Sequence, residues 1–506
     1  MKPVLLSVLS GILLTVGFPK PGIFFLAWVA FVPLLFALRG KSARQALMLG
    51  YLCGIVHLFT TLFWIRHAIY HYGGINVILS TFILFLLCLI LAPYHALFAL
   101  IARKWEKSPV LMVFALPFVW VAMEWGLTHA PFSGFPWTNL GYTQTPLDGL
   151  IQISDVTGVY GISWLVVFAN TVVFGLIRNH FRKTGIVVLS CLTAALFAYG
   201  SWRVQDIRTV QERAAPFRVT VIQGNVQQDL KWDPAFLDET LRRYARLTRE
   251  AVKADPSADL IFWPESAMPF LYGIIEQPTR EVNDIVRLSG KPLLFGSIGV
   301  KIVDKKAKLL NQAYLVDENA SILGTYAKQH LVPFGEYVPL SKLLFFVGRL
   351  VEGEMDYVPG VQPGPVNLDG RPMGVLVCYE VIFPEISRET VRRGAQALMN
   401  LTNDAWYGDT GGPYQHLEIS RWRAIEFRVP LVRAANSGVS AAFDATGAEI
   451  GRIPLNAEGF RNFTVHPMRS LTFYAKYGDL FAWFCVFAAL CALLYQYFQS
   501  KRRKSQ

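Results

Sequence analysis

Met373-Gly374-Val375-Leu376-Val377-Cys378-Tyr379-Glu380 decides what kind of fold this chain adopts. Its apolar, β-branched run predicts a buried strand over Met373 to Val377, bounded by Gly and Pro before it and by polar residues after it. The strand runs straight into a cysteine and a carboxylate, and in open α/β sheets functional side chains gather at such carboxyl ends. Of the six cysteines, Cys53, Cys88, Cys191, Cys485 and Cys491 lie inside long apolar runs, so Cys378 alone belongs to the polar middle of the chain. A thiol with no internal partner is buried and inert, pairs with another chain, or reacts.

Outward from that strand the same alternation recurs. Further strands are predicted at Phe217 to Gln223, Leu260 to Trp263, Pro292 to Ile298, Gln312 to Val316, Ile322 to Ala327, Ala397 to Asn400, Leu431 to Ala434 and Val439 to Phe443. Helices fill the gaps at Phe236 to Lys253, Arg280 to Ser289, Phe383 to Arg393 and Gln415 to Phe427, with apolar rows such as Leu237, Leu241 and Ala245. This is an α/β domain with its sheet covered on at least one face. Two more strand ends carry ionisable groups: Ile261-Phe262-Trp263 leads into Pro264-Glu265, and Thr325-Tyr326-Ala327 leads into Lys328. A charge at the end of an apolar strand is costly to bury unless it is paired or used. Singly each reads as a turn residue; together with Cys378 they supply a base, a cation and a thiol, the needs of nucleophilic acyl transfer.

The flanks are of another kind. The chain has 506 residues, 53% of them hydrophobic and 17% charged, against about 25% charged in ordinary soluble proteins. Apolar runs at Val4 to Phe18, Gly22 to Leu38, Ala46 to Ile65, Asn76 to Ala102, Val110 to Leu127, Gly158 to Ile177, Gly185 to Gly200 and Leu480 to Phe498 read as eight membrane spans. The first two are marginal in length and form a short helical hairpin; no small-residue cleavage site precedes the second, which disfavours a signal peptide. Basic residues fall on alternate connections: Lys2, then Arg39, Lys41 and Arg44, then Arg103, Lys104 and Lys107, then Arg178, Arg182 and Lys183, and finally Lys501 to Lys504. By the positive-inside rule both termini are cytoplasmic and the polar domain lies outside. The net charge of +12 owes much to these clusters and requires no nucleic acid. The expected organisation is a seven-helix membrane domain over residues 1–200, an extracytoplasmic catalytic domain over 201–478, and a last membrane helix with a basic tail over 479–506.

Trp263-Pro264-Glu265, Lys328 with Leu331-Val332-Pro333-Phe334-Gly335-Glu336, and Val377-Cys378-Tyr379-Glu380 resemble, in chain order, the Glu, Lys and Cys triad of the nitrilase superfamily. With membrane spans on both sides, the chain is similar over nearly its full length to the apolipoprotein N-acyltransferase family. That resemblance implies an α-β-β-α sandwich joined to a multi-span helical domain, in the inner membrane of a bacterium with the catalytic domain on the periplasmic side. It implies transfer of a fatty acyl chain, from the sn-1 position of a phospholipid, to the α-amino group of the diacylglyceryl cysteine of an apolipoprotein. Glu265, Lys328 and Cys378 would be catalytic, with a thioester on Cys378 and ping-pong kinetics. Trp232, Glu336, Tyr379 and Glu380 match supporting positions, and Asn403-Asp404-Ala405-Trp406 is a further similarity. No cofactor, metal or nucleic acid is implied, and the protein is expected to be a monomer.

Other readings remain open in the residues alone. The triad does not choose between water and an amine as acceptor, so a membrane-tethered amidase or nitrilase is the rival enzyme; a transporter with a ligand-binding outer domain is the rival of another class. Glu124, inside a span, is either functional or snorkelling. Phe132 to Trp137 and Tyr142 read as an interfacial anchor near the headgroups. The apolar row from Leu343 to Val351, with Trp232, reads as an arm over the acyl entrance. His416 has no second histidine at helical spacing and reads as a surface or packing residue rather than a metal ligand. HExxH, Walker, GxSxG and dinucleotide motifs are absent from the sequence.

Overall fold

A computed structural model describes residues 1–131, 133–333, 335–337, 357–361, 364–469 and 471–502. The apolar row from Leu343 to Val351 lies outside them. Contacts divide the chain into two units: Met1–Arg66, Val77–Val204 and Tyr477–Gln506 form one, His67–Asn76 and Gln205–Lys476 the other.

The first unit is helical. Among the described residues five helices, Val77–Lys104, Leu111–His129, Tyr160–Ile177, Lys183–Gln211 and Leu480–Arg502, are long and apolar enough to cross a membrane. Ala43–Thr61 and Phe63–His71 form a sixth candidate bent by 52°, where an unbroken span was expected. The two shortest apolar runs are Lys2–Val16 and Phe24–Ala37. The second of these is interrupted, a 3₁₀ segment Phe24–Val29 followed by Val32–Ala37 with Pro33 in its first turn. Backbone freed at that break needs internal partners, and polar side chains provide them. Asn170 accepts from the Phe31 N–H (2.7 Å) and donates to the Ala27 carbonyl (2.8 Å), while Ser10 donates to Ala30 and accepts from the Leu34 N–H. Glu124 is neither exposed nor snorkelling: its Oε1 accepts from Trp120 Nε1 and from the Leu140 N–H, both at 2.7 Å, and so anchors the turn Leu140–Gln144. Trp137 and Tyr142 are buried, with Trp137 4.6 Å from Trp64, so they pack inside the unit instead of standing at an interface.

The second unit contains two six-stranded sheets. The first begins with β1 (Phe217–Gln223), β2 (Leu260–Phe262), β3 (Leu293–Val303), β4 (Lys306–Val316) and β5 (Ile322–Ala327). The second contains β6 (Val366–Leu368), β7 (Arg371–Val377), β8 (Ala397–Thr402), β9 (Leu431–Ala435), β10 (Ser440–Phe443) and β11 (Glu449–Ile453). The last strand, β12 (Gly459–Val465), returns to the first sheet antiparallel to β1. β1, β2 and β3 are parallel, as are β7, β8 and β9, so the carboxyl ends of both sheets carry the turns with chemistry on them.

Period-two alternation builds the layers. Val219, Val221, Leu260, Phe262 and Leu294 join Val375, Val377, Met399, Leu401 and Val432 in one core between the sheets. The intervening residues Ile222, Ile261, Trp263 and Phe295 face outward and are covered by Leu241, Tyr244, Val282 and Val286 of the helices Leu237–Ala254 and Glu276–Ser289. Helices Pro384–Arg392 and Gly412–Phe427 pack on the strands of the second sheet. Strands covered on both faces explain the near-continuous apolar runs of the sequence. The second unit is thus an α-β-β-α sandwich, and the first is helical with several apolar helices compatible with membrane spans.

Three strands were not anticipated. β6 has three residues, and β11 and β12 alternate exposed polar with few apolar positions. β3 and β4 are longer than expected because they close as a hairpin on Asp304 and Lys305, both with positive φ, which suits the twist of a two-residue turn.

Candidate active site

Glu265 lies just beyond β2. The Trp263 N–H donates to Leu294 and the Gly296 N–H to Pro264, which seats the Pro264–Glu265 turn on β3. A side chain at Gly296 would place its Cβ 2.8 Å from the Glu265 Cα, closer than real contacts allow, so the turn needs glycine there. Glu265 Oε1 accepts from Asn311 Nδ2 at 2.8 Å and lies 3.8 Å from Lys328 Nζ. Its Oε2 has no hydrogen-bond partner among the described residues, leaving that oxygen available to take a proton.

Lys328 follows β5 and is fixed by its own N–H donating to the Asn311 carbonyl (2.8 Å). The side chain is 1% exposed, and its ammonium lies 2.9 Å from Glu336 Oε2. Glu336 in turn accepts from Asn311 Nδ2 (3.0 Å) and from the Val332 N–H (2.8 Å). Burial works against the charge on Lys328, but the carboxylates of Glu336 and Glu265 outweigh it and hold its pKa above the ordinary lysine range.

Cys378 closes β7 with φ of +52°, a left-handed conformation that a non-glycine residue adopts at a cost of about 1–3 kcal/mol. Two side chains hold the strained turn. Glu380 Oε2 accepts from the Val377 N–H at 2.7 Å, and His416 Nε2 lies 3.3 Å from the Cys378 carbonyl. Burial pushes the thiol up to about 12; Glu265 adds to this and Lys328 opposes it. Both charges of the Glu–Lys pair therefore act on the sulfur, and the resting group is the thiol. Forming a thiolate requires a base beside it.

Glu380 is fully buried. Its carboxylate accepts from Tyr326 Oη and from the backbone N–H groups of Gln329, His330 and Val377, so it ties the segment carrying Lys328 in one sheet to the turn carrying Cys378 in the other. Burial raises its pKa to about 7 against those hydrogen bonds. Tyr379 is buried with its ring 5.1 Å from Phe383. Trp232 follows the short helix Gln228–Lys231 and is half-buried.

Comparison with known proteins follows this geometry. Residues 10–172 match the family described as apolipoprotein N-acyltransferase N-terminal domain, and residues 218–467 match carbon-nitrogen hydrolase. An apolipoprotein N-acyltransferase of Geobacter metallireducens is 42% identical over 492 residues, covering 96% of this chain and 93% of that protein. The chain belongs to the apolipoprotein N-acyltransferase family. A second relative with the same name, from Pasteurella multocida, is 30% identical over 489 residues, covering 94% of this chain and 91% of that protein. The crystal structure of a carbon-nitrogen hydrolase from Helicobacter pylori is similar over 52% of this chain and 94% of its own, with 17% identity and a TM-score of 0.40. As an apolipoprotein N-acyltransferase family member the chain is an enzyme, and its apolar helices fit a membrane protein.

Several residues around this family member's site were not singled out as such in the sequence. Asn311 bridges Glu265 and Glu336, but an asparagine in a strand gives no sign of that. Arg433 did carry a signal, a charge inside the apolar run Leu431–Ala435. It is fully buried and donates to Asn400 Oδ1 (2.5 Å) and Asp404 Oδ2 (2.6 Å). His416 is buried in this network, not on the surface: its Nδ1 lies 3.0 Å from both Asp404 Oδ1 and Arg433 Nη2. A carbonyl only accepts, so the contact with Cys378 puts the proton on Nε2. Lys231 is the remaining unanticipated residue.

Proposed function

We propose that the protein transfers a fatty acyl chain from a phospholipid to the α-amino group of an N-terminal diacylglyceryl cysteine on an apolipoprotein, through a thioester on Cys378. Glu265 Oε2 takes the thiol proton and the sulfur attacks the sn-1 ester carbonyl. Lys328 and a backbone N–H near Tyr379 hold the oxyanion. The C–O bond breaks as Glu265 returns the proton to the departing lysophospholipid oxygen. The amine then attacks the thioester, Glu265 removes its proton, and collapse of the adduct forms the amide and restores the thiol. The observation that carries this reading is the buried carboxylate with one unpartnered oxygen, 3.8 Å from an ammonium, both acting electrically on a thiol at a strained strand end.

Glu336 keeps Lys328 charged and in place, Glu380 sets the two catalytic turns against each other, and Tyr379 and Trp232 belong to the walls of the substrate site. The basic residues flanking alternate apolar helices support an inner-membrane protein with cytoplasmic termini and a periplasmic catalytic domain over 201–478, between membrane segments 1–200 and 479–506. All the proposed catalytic groups come from one chain, consistent with a monomer, and neither a metal nor a nucleic acid enters the chemistry.

Mass spectrometry of the protein after incubation with phospholipid vesicles alone tests the reading. The expected result is one acyl chain on the peptide containing Cys378, released by hydroxylamine and discharged by a diacylglyceryl-cysteine peptide. Steady transfer with no acyl group on Cys378 would refute it.

A further inference from the structure

The buried charges around the thiol do not balance within the proposed triad. Lys328 is one cation beside two carboxylates, Glu265 and Glu336, and all three are buried. A net charge in such surroundings is costly. The missing cation comes from Lys231, 3% exposed, whose Nζ donates to the Glu265 carbonyl at 3.0 Å. Among the described residues that carbonyl is the single hydrogen-bond acceptor for its ammonium. Burial lowers its pKa to about 8, while Glu265 and Cys378 both act to keep it protonated.

The segment that carries Lys231 is fixed from the other sheet. The Asn225 and Val226 N–H groups donate to the backbone and side-chain oxygens of Asn436, and Asn436 Nδ2 donates back to the Val226 carbonyl. Gln228 Oε1 accepts from Asn403 Nδ2 at 2.5 Å. The segment is thus held beyond β8 and β9, and its lysine reaches the turn beyond β2. So much fixation of one buried amine, with so few partners for it, is not explained by packing.

We infer that Lys231 is a positioning residue of the acyl-transfer site: its ammonium holds the Glu265 turn through the backbone carbonyl and supplies the second positive charge of the buried cluster. With it, a proton passes from Cys378 to Glu265 inside the group formed by Lys231, Lys328, Glu265 and Glu336, which is neutral before and after the transfer; nearby, Asp404 is balanced by Arg433, and Glu380 is held by the Tyr326 hydroxyl and three backbone N–H groups. Without it, the thiolate forms beside Lys328 and Glu336 in a group that carries a net charge of minus one. The inference rests on Cys378 being the nucleophile and Glu265 its base, and the experiment separates the two questions.

The rate of iodoacetamide labelling of Cys378 is measured at pH 7, where Lys231 carries its charge, in the full-length, detergent-solubilised protein. Acyl transfer is measured in parallel from mixed phosphatidylethanolamine and phosphatidylglycerol vesicles to a diacylglyceryl-cysteine peptide. In the parent, labelling abolishes transfer; labelling of Cys378 that leaves transfer intact would overturn the nucleophile assignment itself. Lys231→Met is expected to slow labelling at pH 7 about tenfold and to lower kcat about tenfold with little change in KM for the peptide, one pKa unit corresponding to a factor of ten. Lys231→Arg is expected to keep the parent labelling rate. A folded Lys231→Met protein labelled at the parent rate, or an Arg variant slowed as far as Met, overturns the inference. Lys231→Gln, neutral but still able to donate to the Glu265 carbonyl, serves if the Met variant does not fold: slower labelling supports the inference and an unchanged rate overturns it.

Discussion

Asn311 offers the sharpest test of how the carboxylates are held. Its Nδ2 donates to Glu265 Oε1 at 2.8 Å and to Glu336 Oε1 at 3.0 Å. Lys328 sits 2.9 Å from Glu336 but 3.8 Å from Glu265, so the amide, not the ammonium, is the closer partner of Glu265. Asn311→Ala removes both bonds. A hydrogen bond to a charged group contributes about 1.5–3 kcal/mol, and at 1.36 kcal/mol per factor of ten the loss at Glu265 alone slows acylation about ten- to 150-fold. Asn311→Asp preserves shape but turns an acceptor toward two acceptors, so at neutral pH it is expected to be slower than Ala. Protonation gives the new carboxyl one hydrogen to donate, so its rate, relative to Ala, is expected to rise as pH falls. The assay is single-turnover thioester formation from phospholipid vesicles across pH, with circular dichroism as the folding control. Asn311→Asp faster than Asn311→Ala at neutral pH, in folded protein, would show that the amide does not work by donating to the carboxylates.

His416 predicts an effect on stability. Burial and the neighbouring Arg433 lower its pKa below the ordinary histidine value, so as pH falls through about 6.5 the unfolded chain takes up a proton that the folded protein refuses, and stability is lost. His416→Gln keeps an N–H for the Cys378 carbonyl and removes that titration; chemical denaturation of the variant should show a smaller loss than the parent between pH 6.5 and 5.5, and parallel curves would contradict this. At Glu124 the contacts are all made by one acceptor oxygen, so Glu124→Gln should retain the fold, whereas Glu124→Leu orphans the Leu140 and Trp120 N–H groups at a cost of about 2–6 kcal/mol. Thermal melts in detergent distinguish the two, and equal melting of the Gln and Leu variants would remove Glu124 as the anchor of the Leu140–Gln144 turn.

Legibility followed locality. β1 and β5 were readable to the residue because their apolar alternation is strong and their ends are marked by polar residues or turns. β12 was not, because what makes Gly459–Val465 a strand is its pairing with β1, more than two hundred residues earlier. The same holds in the helical unit, where the backbone at the break near Ala30 is satisfied by Asn170 from a distant helix. The segment His67–Asn76 lies between two apolar runs, yet it groups with the sandwich: Tyr72 donates to the Ala405 carbonyl (3.1 Å) and packs on Trp406.

Amino-acid order by itself determined an α/β domain with its sheet covered on at least one face, the apolar flanks and the three strand ends on which a carboxylate, an amine and a thiol stand, since each follows from short-range periodicity and from the cost of leaving a charge in apolar surroundings. Tertiary structure alone decided which side chains hold those groups. Asn311 between two carboxylates, Glu380 across the sheets, His416 behind the cysteine and Lys231 on the Glu265 carbonyl are ordinary polar residues until folding removes water from them, and only then does each have to find the partner that gives it a role.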